Sequence, residues 1–222
     1  EHEVFLVDSD DTAYVLRTLR RLGATRRPAG LLRFHRPEHM FVTFNSKEKP
    51  ALAVIRSPEK TLLAQVEVNA NVFRALQGTN FEHLVNYELL IQAQRADGSW
   101  PSYFYPSAYF GTLLAVEVLS TQPWAAVHVS KALEFVLKTQ NTDGSWGRPG
   151  EAYETALALS TLLAGTHGEP AVSRGVDFLL ASLRSDGSWA GSQCIWEFQA
   201  DSRDLWRAYD PHRTFTSAVC LT

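Results

Sequence analysis

Two kinds of apolar segment alternate along the second half of the chain. In KALEFVLKTQ (131–140) and RGVDFLLASL (174–183) the apolar positions recur at helical spacing and leave a polar face. Val129, Leu133 and Val136 fall on one side of the first, and Lys131, Glu134 and Lys138 on the other, which predicts a helix with one wet face. Between them, SAYFGTLLAVEVLS (107–120) and TALALSTLLAG (155–165) are apolar or small all round, which predicts helices enclosed on every side. Five enclosed helices are expected, starting near Thr12, Asn69, Ser107, Tyr153 and Thr214, and three wet-faced ones near His83, Ala126 and Ala171.

The wet-faced segments end in related turns. QRADGSW (94–100), QNTDGSW (140–146) and LRSDGSW (183–189) recur at intervals of 46 and 43 residues, the mark of a repeat array. Alternating inner and outer helices joined by such turns describe an all-α fold, a double-layered α/α barrel or an open α/α solenoid. Six closed pairs would need more helices than the chain holds, so 1–222 reads as the catalytic portion of one such domain. It is expected to belong to a larger protein, with elements before Asp8 and after Thr222 supplied by the same or another polypeptide.

The pattern breaks between Ala24 and Val66. MFVTFNS (40–46) and ALAVIRS (51–57) are β-rich runs separated by KEKP, which predicts a short β-rich excursion near 40–56. The stretch from Ala24 to Val66 carries Arg33, Arg36, Lys47, Lys49, Arg56 and Lys60, either a solvated loop surface or a source of contacts to an anionic group.

Composition narrows the classes. With 222 residues, 45% hydrophobic content and a net charge of -3, the chain is long enough for a sizeable core and too weakly charged for nucleic acid as its main partner. Two cysteines, Cys194 and Cys220, make neither a disulfide framework nor a zinc spacing, and a cytoplasmic setting is expected. No apolar run approaches a bilayer span.

The candidate chemistry lies in DSDDTA (8–13), where Asp8, Asp10 and Asp11 fall within four positions just before an enclosed helix. Like charges this close resist joint ionisation, so a folded chain that holds them in a cavity keeps a proton on one of them. The same residues also suit an N-cap and first helical turn. Calcium is a lesser reading, because the regular twelve-residue loop with its closing Glu is missing.

DSDDTA, the recurring DGSW turns and VEVNANVFRAL (66–76) together resemble the catalytic β domain of class II terpene cyclases. That family includes bacterial, fungal and plant diterpene cyclases and, more distantly, squalene-hopene cyclase. The resemblance implies protonation of an alkene followed by attack of neighbouring double bonds on the cation. It makes Asp10 the general acid and gives Asp8 and Asp11 supporting roles. It further implies a linear isoprenoid diphosphate substrate, geranylgeranyl or farnesyl diphosphate, whose diphosphate is retained. Mg²⁺ is expected with it, its ligands outside this chain, so no metal site is assigned here. An alkene is a very poor base, and an ordinary Asp, with a pKa of roughly 3.9, is ionised at neutral pH. Crowding and dryness would hold the proton on, and the helix N-terminus would stabilise the carboxylate left behind by about 1 kcal/mol.

A cation needs walls that do not quench it, and aromatic faces provide them. The assigned pocket residues are Trp100, Tyr105, Tyr109 and Tyr153 with Asn69, while Tyr103, Phe104, Trp196 and Phe215 are further aromatic candidates. Asn69 and Asn71 are both placed to hydrogen-bond the aspartates, and Asn69 equally suits an N-cap. Trp146 and Trp189 read as structural. Three other classes remain: a squalene-hopene-type triterpene cyclase, a prenyltransferase-type zinc protein, and a non-catalytic repeat scaffold. His128 and His167 show no zinc spacing, and His35, His39 and His212 read as surface or loop residues.

Overall fold

A computed structural model of the chain describes residues 7–24, 26–37, 40–45, 65–165, 169–198 and 205–221. The run ALAVIRS, the cations Lys47, Lys49, Arg56 and Lys60, and His39 and His167 lie outside these residues, as does the side chain of Trp196. The helices are α1 (Ser9–Arg21), α2 (Val66–Leu76), α3 (Tyr87–Ala93), α4 (Ala108–Leu119), α5 (Ala126–Lys138), α6 (Ala152–Ala164), α7 (Glu169–Ser182) and α8 (Thr214–Cys220). They fall where the eight helices were expected, but of the five expected to be enclosed only α2, α4 and α6 are: α1 buries just Ser9 and Ala13, and α8 just Thr216, among the described residues. None is long and apolar enough to cross a membrane.

The chain divides into two compact units, Glu1–Gln92 with Phe198–Asp204, and Ala93–Glu197 with Leu205–Thr222. In the first, α1 packs along α2. Asp8 caps α1 by accepting the Asp11 N–H at 2.7 Å, Asp10 and Asp11 occupy the positive end of the helix, and Arg20 and Arg21 its last turn. α2 is buried nearly all round, from Glu67 to Leu76 with Arg74 as the interruption. Arg20 closes the seam at the far end by donating to the Ala75 and Gln77 carbonyls at 2.7 and 3.2 Å, which the end of α2 leaves unsatisfied. Two short strands, β1 (His35–Arg36) and β2 (Met40–Phe41), pair antiparallel, with His35 opposite Phe41. β2 falls within the expected 40–56 excursion and its described partner, β1, precedes it, while residues 46–56 lie outside the described residues. Its continuation reaches α1, for the Ser9 N–H and hydroxyl donate to the Thr43 and Val42 carbonyls, both at 3.0 Å.

In the second unit α4, α6 and α8 lie side by side, α5 packs on α4 and α6, and α7 packs on α6. Val129, Ala132, Leu133 and Val136 are the buried stripe of α5, while α4 and α6 are buried on nearly every side. The turns explain the repeat. Gln94 donates to the carbonyl of Gly98 at 3.0 Å and to that of His128, in the next outer helix, at 2.9 Å. Gln140 does the same to Gly144 and Ala171 at 3.0 and 2.9 Å. The Trp of each turn offers its backbone N–H to a hydroxyl of the next inner helix, Thr112, Thr155 or Ser217. One seven-residue turn therefore fastens three helices.

The third turn lacks its Gln. Arg213 takes a share of the work, donating to the Ser188 hydroxyl at 2.9 Å and pairing with Asp186 at 3.0 Å. It does so from a left-handed backbone conformation, φ 61°, at the entry to α8. A second two-stranded sheet, β3 (Gln193–Phe198) with β4 (Leu205–Tyr209), was not expected from the sequence.

Candidate active site

Of the three aspartates, α1 gives each a different environment. Asp8 is the cap, and its carboxylate is turned to the Asp11 N–H. Asp11 is exposed. Asp10 is half-buried and faces α2, where the Asn71 amide donates to its Oδ1 at 2.8 Å and to its backbone carbonyl at 3.1 Å. Burial, first of all, pushes the Asp10 carboxyl up to about 7, the Asn71 hydrogen bond opposes this, and Asp8, Glu67 and Asp11 add like-charge repulsion. Burial also raises Asp8, to about 6, against the Asp11 N–H bond that favours its charged form. With a pKa of about 7, Asp10 is protonated in about half of the molecules at neutral pH, where an exposed aspartate is almost wholly ionised.

The two asparagines have separate duties. Asn69 is fully buried and spends its amide on the Phe41 N–H and carbonyl, both at 2.8 Å, and on the Gln65 carbonyl at 2.9 Å. Gln65, not Asn69, stands at the N-cap of α2. The group that reaches the aspartates is Asn71. Two residues went unread in the sequence. Glu67, 1% exposed, is one helical turn before Asn71 and so shares its face of α2. Arg17, two turns after Asp10 on α1, donates to the Asn71 Oδ1 at 2.6 Å.

The second unit gathers the aromatic candidates differently. Tyr105 stacks on Phe110 with ring centroids 3.8 Å apart and faces Phe215 at 6.5 Å, and Tyr153 meets the same Phe215 at 5.7 Å. These faces form one cluster, of the kind that attracts a cation. Tyr109 turns instead toward Phe135 of the outer helix α5, 5.5 Å away. Trp100 is fully buried in its turn, its N–H bound to Thr112. Tyr103 and Phe104 pack edge to face on each other at 5.0 Å. Trp146 and Trp189 cross-link their turns to the preceding outer helix by donating indole N–H to the Val136 and Leu179 carbonyls.

Among the described residues no three His, Cys, Asp or Glu side chains are grouped to hold a metal ion. The aspartate trio does not fit one either, because Asp8 and Asp10 turn to different donors. Mg²⁺ therefore has no ligand set in the described chain.

The chain belongs to the class II terpene cyclase family: the squalene-hopene cyclase C-terminal domain matches residues 52–198. It is 31% identical over 156 residues to the labda-7,13-dienyl diphosphate synthase of Streptomyces clavuligerus, a match that covers 64% of this chain and 26% of that protein. The ent-copalyl diphosphate synthase of Streptomyces platensis shares the fold with a TM-score of 0.74 and 27% identity, over 96% of this chain and 40% of that one. The fold alone is shared with the type II terpene cyclase MstE of Scytonema, TM-score 0.83 at 21% identity, covering 100% of this chain and 73% of that one. The chain thus spans about a quarter of the length of the curated relatives it matches.

Proposed function

We propose that Asp10 is the general acid of a class II cyclisation, an intramolecular isomerisation of a linear isoprenoid diphosphate. The single observation that carries this reading is the half-buried Asp10 carboxyl, held up at about 7 among Asp8, Asp11 and Glu67 with one amide donor aimed at it. Such a group is protonated in about half of the molecules at neutral pH, ready for substrate. It gives its proton to the terminal alkene, the π electrons form the new C–H bond, and the adjacent carbon becomes cationic. The Asp10 carboxylate left behind accepts the Asn71 N–H, which offsets part of the cost of making an anion in a dry site. Inner alkenes attack the cation in turn, and loss of a proton ends the sequence with the atoms of the substrate unchanged in number.

Retention of the diphosphate is favoured by the relatives, whose names are diphosphate synthases. Geranylgeranyl and farnesyl diphosphate are the substrates of this reading, with Mg²⁺ held by groups outside the described residues. A triterpene reaction of the squalene-hopene type is the second reading, favoured by the family match.

The test is incubation of the complete protein with each diphosphate and Mg²⁺, phosphatase treatment, and mass-spectrometric identification of the alcohols beside an Asp10→Asn control. A cyclic alcohol that vanishes in the control is expected. Linear alcohols alone, with squalene cyclised instead, would move the protein to the triterpene reaction. Inertness toward all three would leave the array as a binding scaffold.

A further inference from the structure

The acid is held by an amide, and an amide has two unlike ends. With its NH₂ toward Asp10, Asn71 donates to the carboxylate and eases release of the proton. With its carbonyl oxygen toward Asp10, it would accept from the carboxylic acid and retain the proton. Nothing in the shape of Asn71, which is fully buried, selects between these poses. Selection comes from both sides: the Asp10 backbone carbonyl also accepts from this NH₂, at 3.1 Å, and Arg17 holds the opposite end. Arg17 Nη1 lies 2.6 Å from Asn71 Oδ1, and a guanidinium has only donors. Turning the amide over would set NH₂ against N–H, leaving facing donors unsatisfied in a buried seam.

We propose that Arg17 is a positioning residue for the Asp10 acid: it occupies the Asn71 carbonyl oxygen and so commits the amide NH₂ to the Asp10 carboxyl. Asp10 and Arg17 lie seven residues apart on α1, on the face that meets α2, with Asn71 between them. The Arg17 guanidinium also lies 5.7 Å from the centre of the Tyr14 ring, which limits the directions it can take. The charges acting on Asp10 are Asp8 and Asp11 from its own helix and Glu67 from α2. On the neighbouring segments Arg33 lies over the Phe34 ring and Arg36 donates to the His35 carbonyl. Arg17 therefore sets the strength of the acid through an intermediary.

This inference rests on the reading of Asp10 as the acid, so its test needs no substrate. In the complete protein, labelled with ¹³Cγ-aspartate and assigned by the missing signal of Asp10→Asn, the Asp10 carboxyl is titrated by NMR. Arg17→Met should raise its midpoint by up to about one pH unit, because the Asp10 backbone carbonyl alone then holds the amide NH₂ toward Asp10. Arg17→Lys, which keeps a donor, should return most of the shift. In an Asn71→Ala background Arg17→Met should add nothing. An unmoved midpoint in Arg17→Met overturns the inference. So does an equal shift without Asn71, which would make Arg17 a direct charge. If Arg17→Met does not fold, Arg17→Gln serves, expected to shift in the same direction by less, and no shift there is equally fatal.

In the turnover assay Arg17→Met should lose up to about tenfold in kcat with KM little changed, the amount that one unit of acid strength represents. The two readings fail separately. A shifted titration in an inert protein sinks the enzymatic reading alone, and an unshifted one in an active cyclase sinks the positioning role alone.

Discussion

The chain uses aspartate at helix junctions in two opposite ways. In the three repeat turns, Asp97, Asp143 and Asp186 each accept from a serine N–H and hydroxyl two residues on, and all three carboxyls are held below their usual range. The largest cause is the serine N–H bond at Asp97 and the serine hydroxyl bond at Asp143 and Asp186. At the start of α1, half-buried Asp10 has one amide donor and three acidic neighbours, and its carboxyl is pushed up to about 7 by burial above all. The residue type is the same, and the balance of donors against burial decides whether it fastens a turn or stores a proton.

The largest effect that tests this contrast is on turnover. Asp10→Asn should reduce cyclisation by about 10³-fold or more, in line with loss of a general acid, with the far-UV dichroism of the wild type. Asp143→Asn, removing a carboxylate of the other kind, should leave kcat within about twofold. Equal losses in both would erase the distinction. In the wild type, kcat should fall as pH rises through about 7, where Asp10 loses its proton, and the alkaline limb should be followed by the cyclic alcohol formed per minute.

Stability carries the same contrast with its sign visible. Asp10 has a folded pKa of about 7 against an ordinary 3.8, so the folded state binds its proton more tightly. Its contribution is complete below about 3.8 and is lost as pH rises to about 7. At about 1.4 kcal/mol per unit the ceiling is about 4 kcal/mol. Asp10→Asn should match wild-type stability near pH 4 and exceed it at pH 8, measured by denaturant unfolding at both. The turn aspartates have the reverse sign, for their lowered pKa values favour the folded state above the ordinary range and lose that advantage in acid. Equal responses of Asp10→Asn at the two pH values would refute the buried-proton account.

Next in size are the glycines beneath the turn aspartates. A Cβ on Gly144, φ 88°, would stand 2.5 Å from the Arg174 carbonyl oxygen of α7, while one on Gly187, φ 77°, would meet nothing within 4 Å. Gly144→Ala should cost roughly 3 kcal/mol, from strain plus collision, and Gly187→Ala about 1 kcal/mol from strain alone. Matching midpoint losses in urea for the two would show that the turn does not rest on the helix.

How much of this was readable depends on distance along the chain. Inner and outer helices were legible because enclosure is written every three or four residues, as Val129, Leu133 and Val136 illustrate. The aspartate motif was legible because its members are adjacent. Which asparagine meets Asp10 was not, since Asn69 and Asn71 differ by about 200° around α2 and only the packed seam with α1 says which face is which. Glu67 and Arg17 needed that seam as well. The β3–β4 sheet was missed although QCIWEF and LWRAY are rich in aromatic and branched residues, because short apolar runs fit a strand or a buried helix equally. Arg213 reaches Ser188 from 25 residues away, and no local pattern announces it.

The smallest effect concerns the glutamine that the third turn does without. Gln140→Leu copies Leu183 into the second turn and removes the bonds to Gly144 and Ala171, together with the one accepted from Arg174. Two part-buried carbonyls lose a side-chain donor, at about 1 kcal/mol each at most. Asn141 still donates to the Ser145 hydroxyl at 3.0 Å, as Arg213 does to Ser188 in the third turn, so the loss is confined to the bonds of Gln140 itself. Leu183→Gln should then gain less than Gln140→Leu loses, since Arg213 already ties Asp186 and Ser188. Urea unfolding of the two variants, with the Asp10 titration as an internal control that neither should move, separates a turn that fastens helices from a site that holds a proton. A shift of the Asp10 midpoint in Gln140→Leu would mean that the two kinds of aspartate are coupled after all.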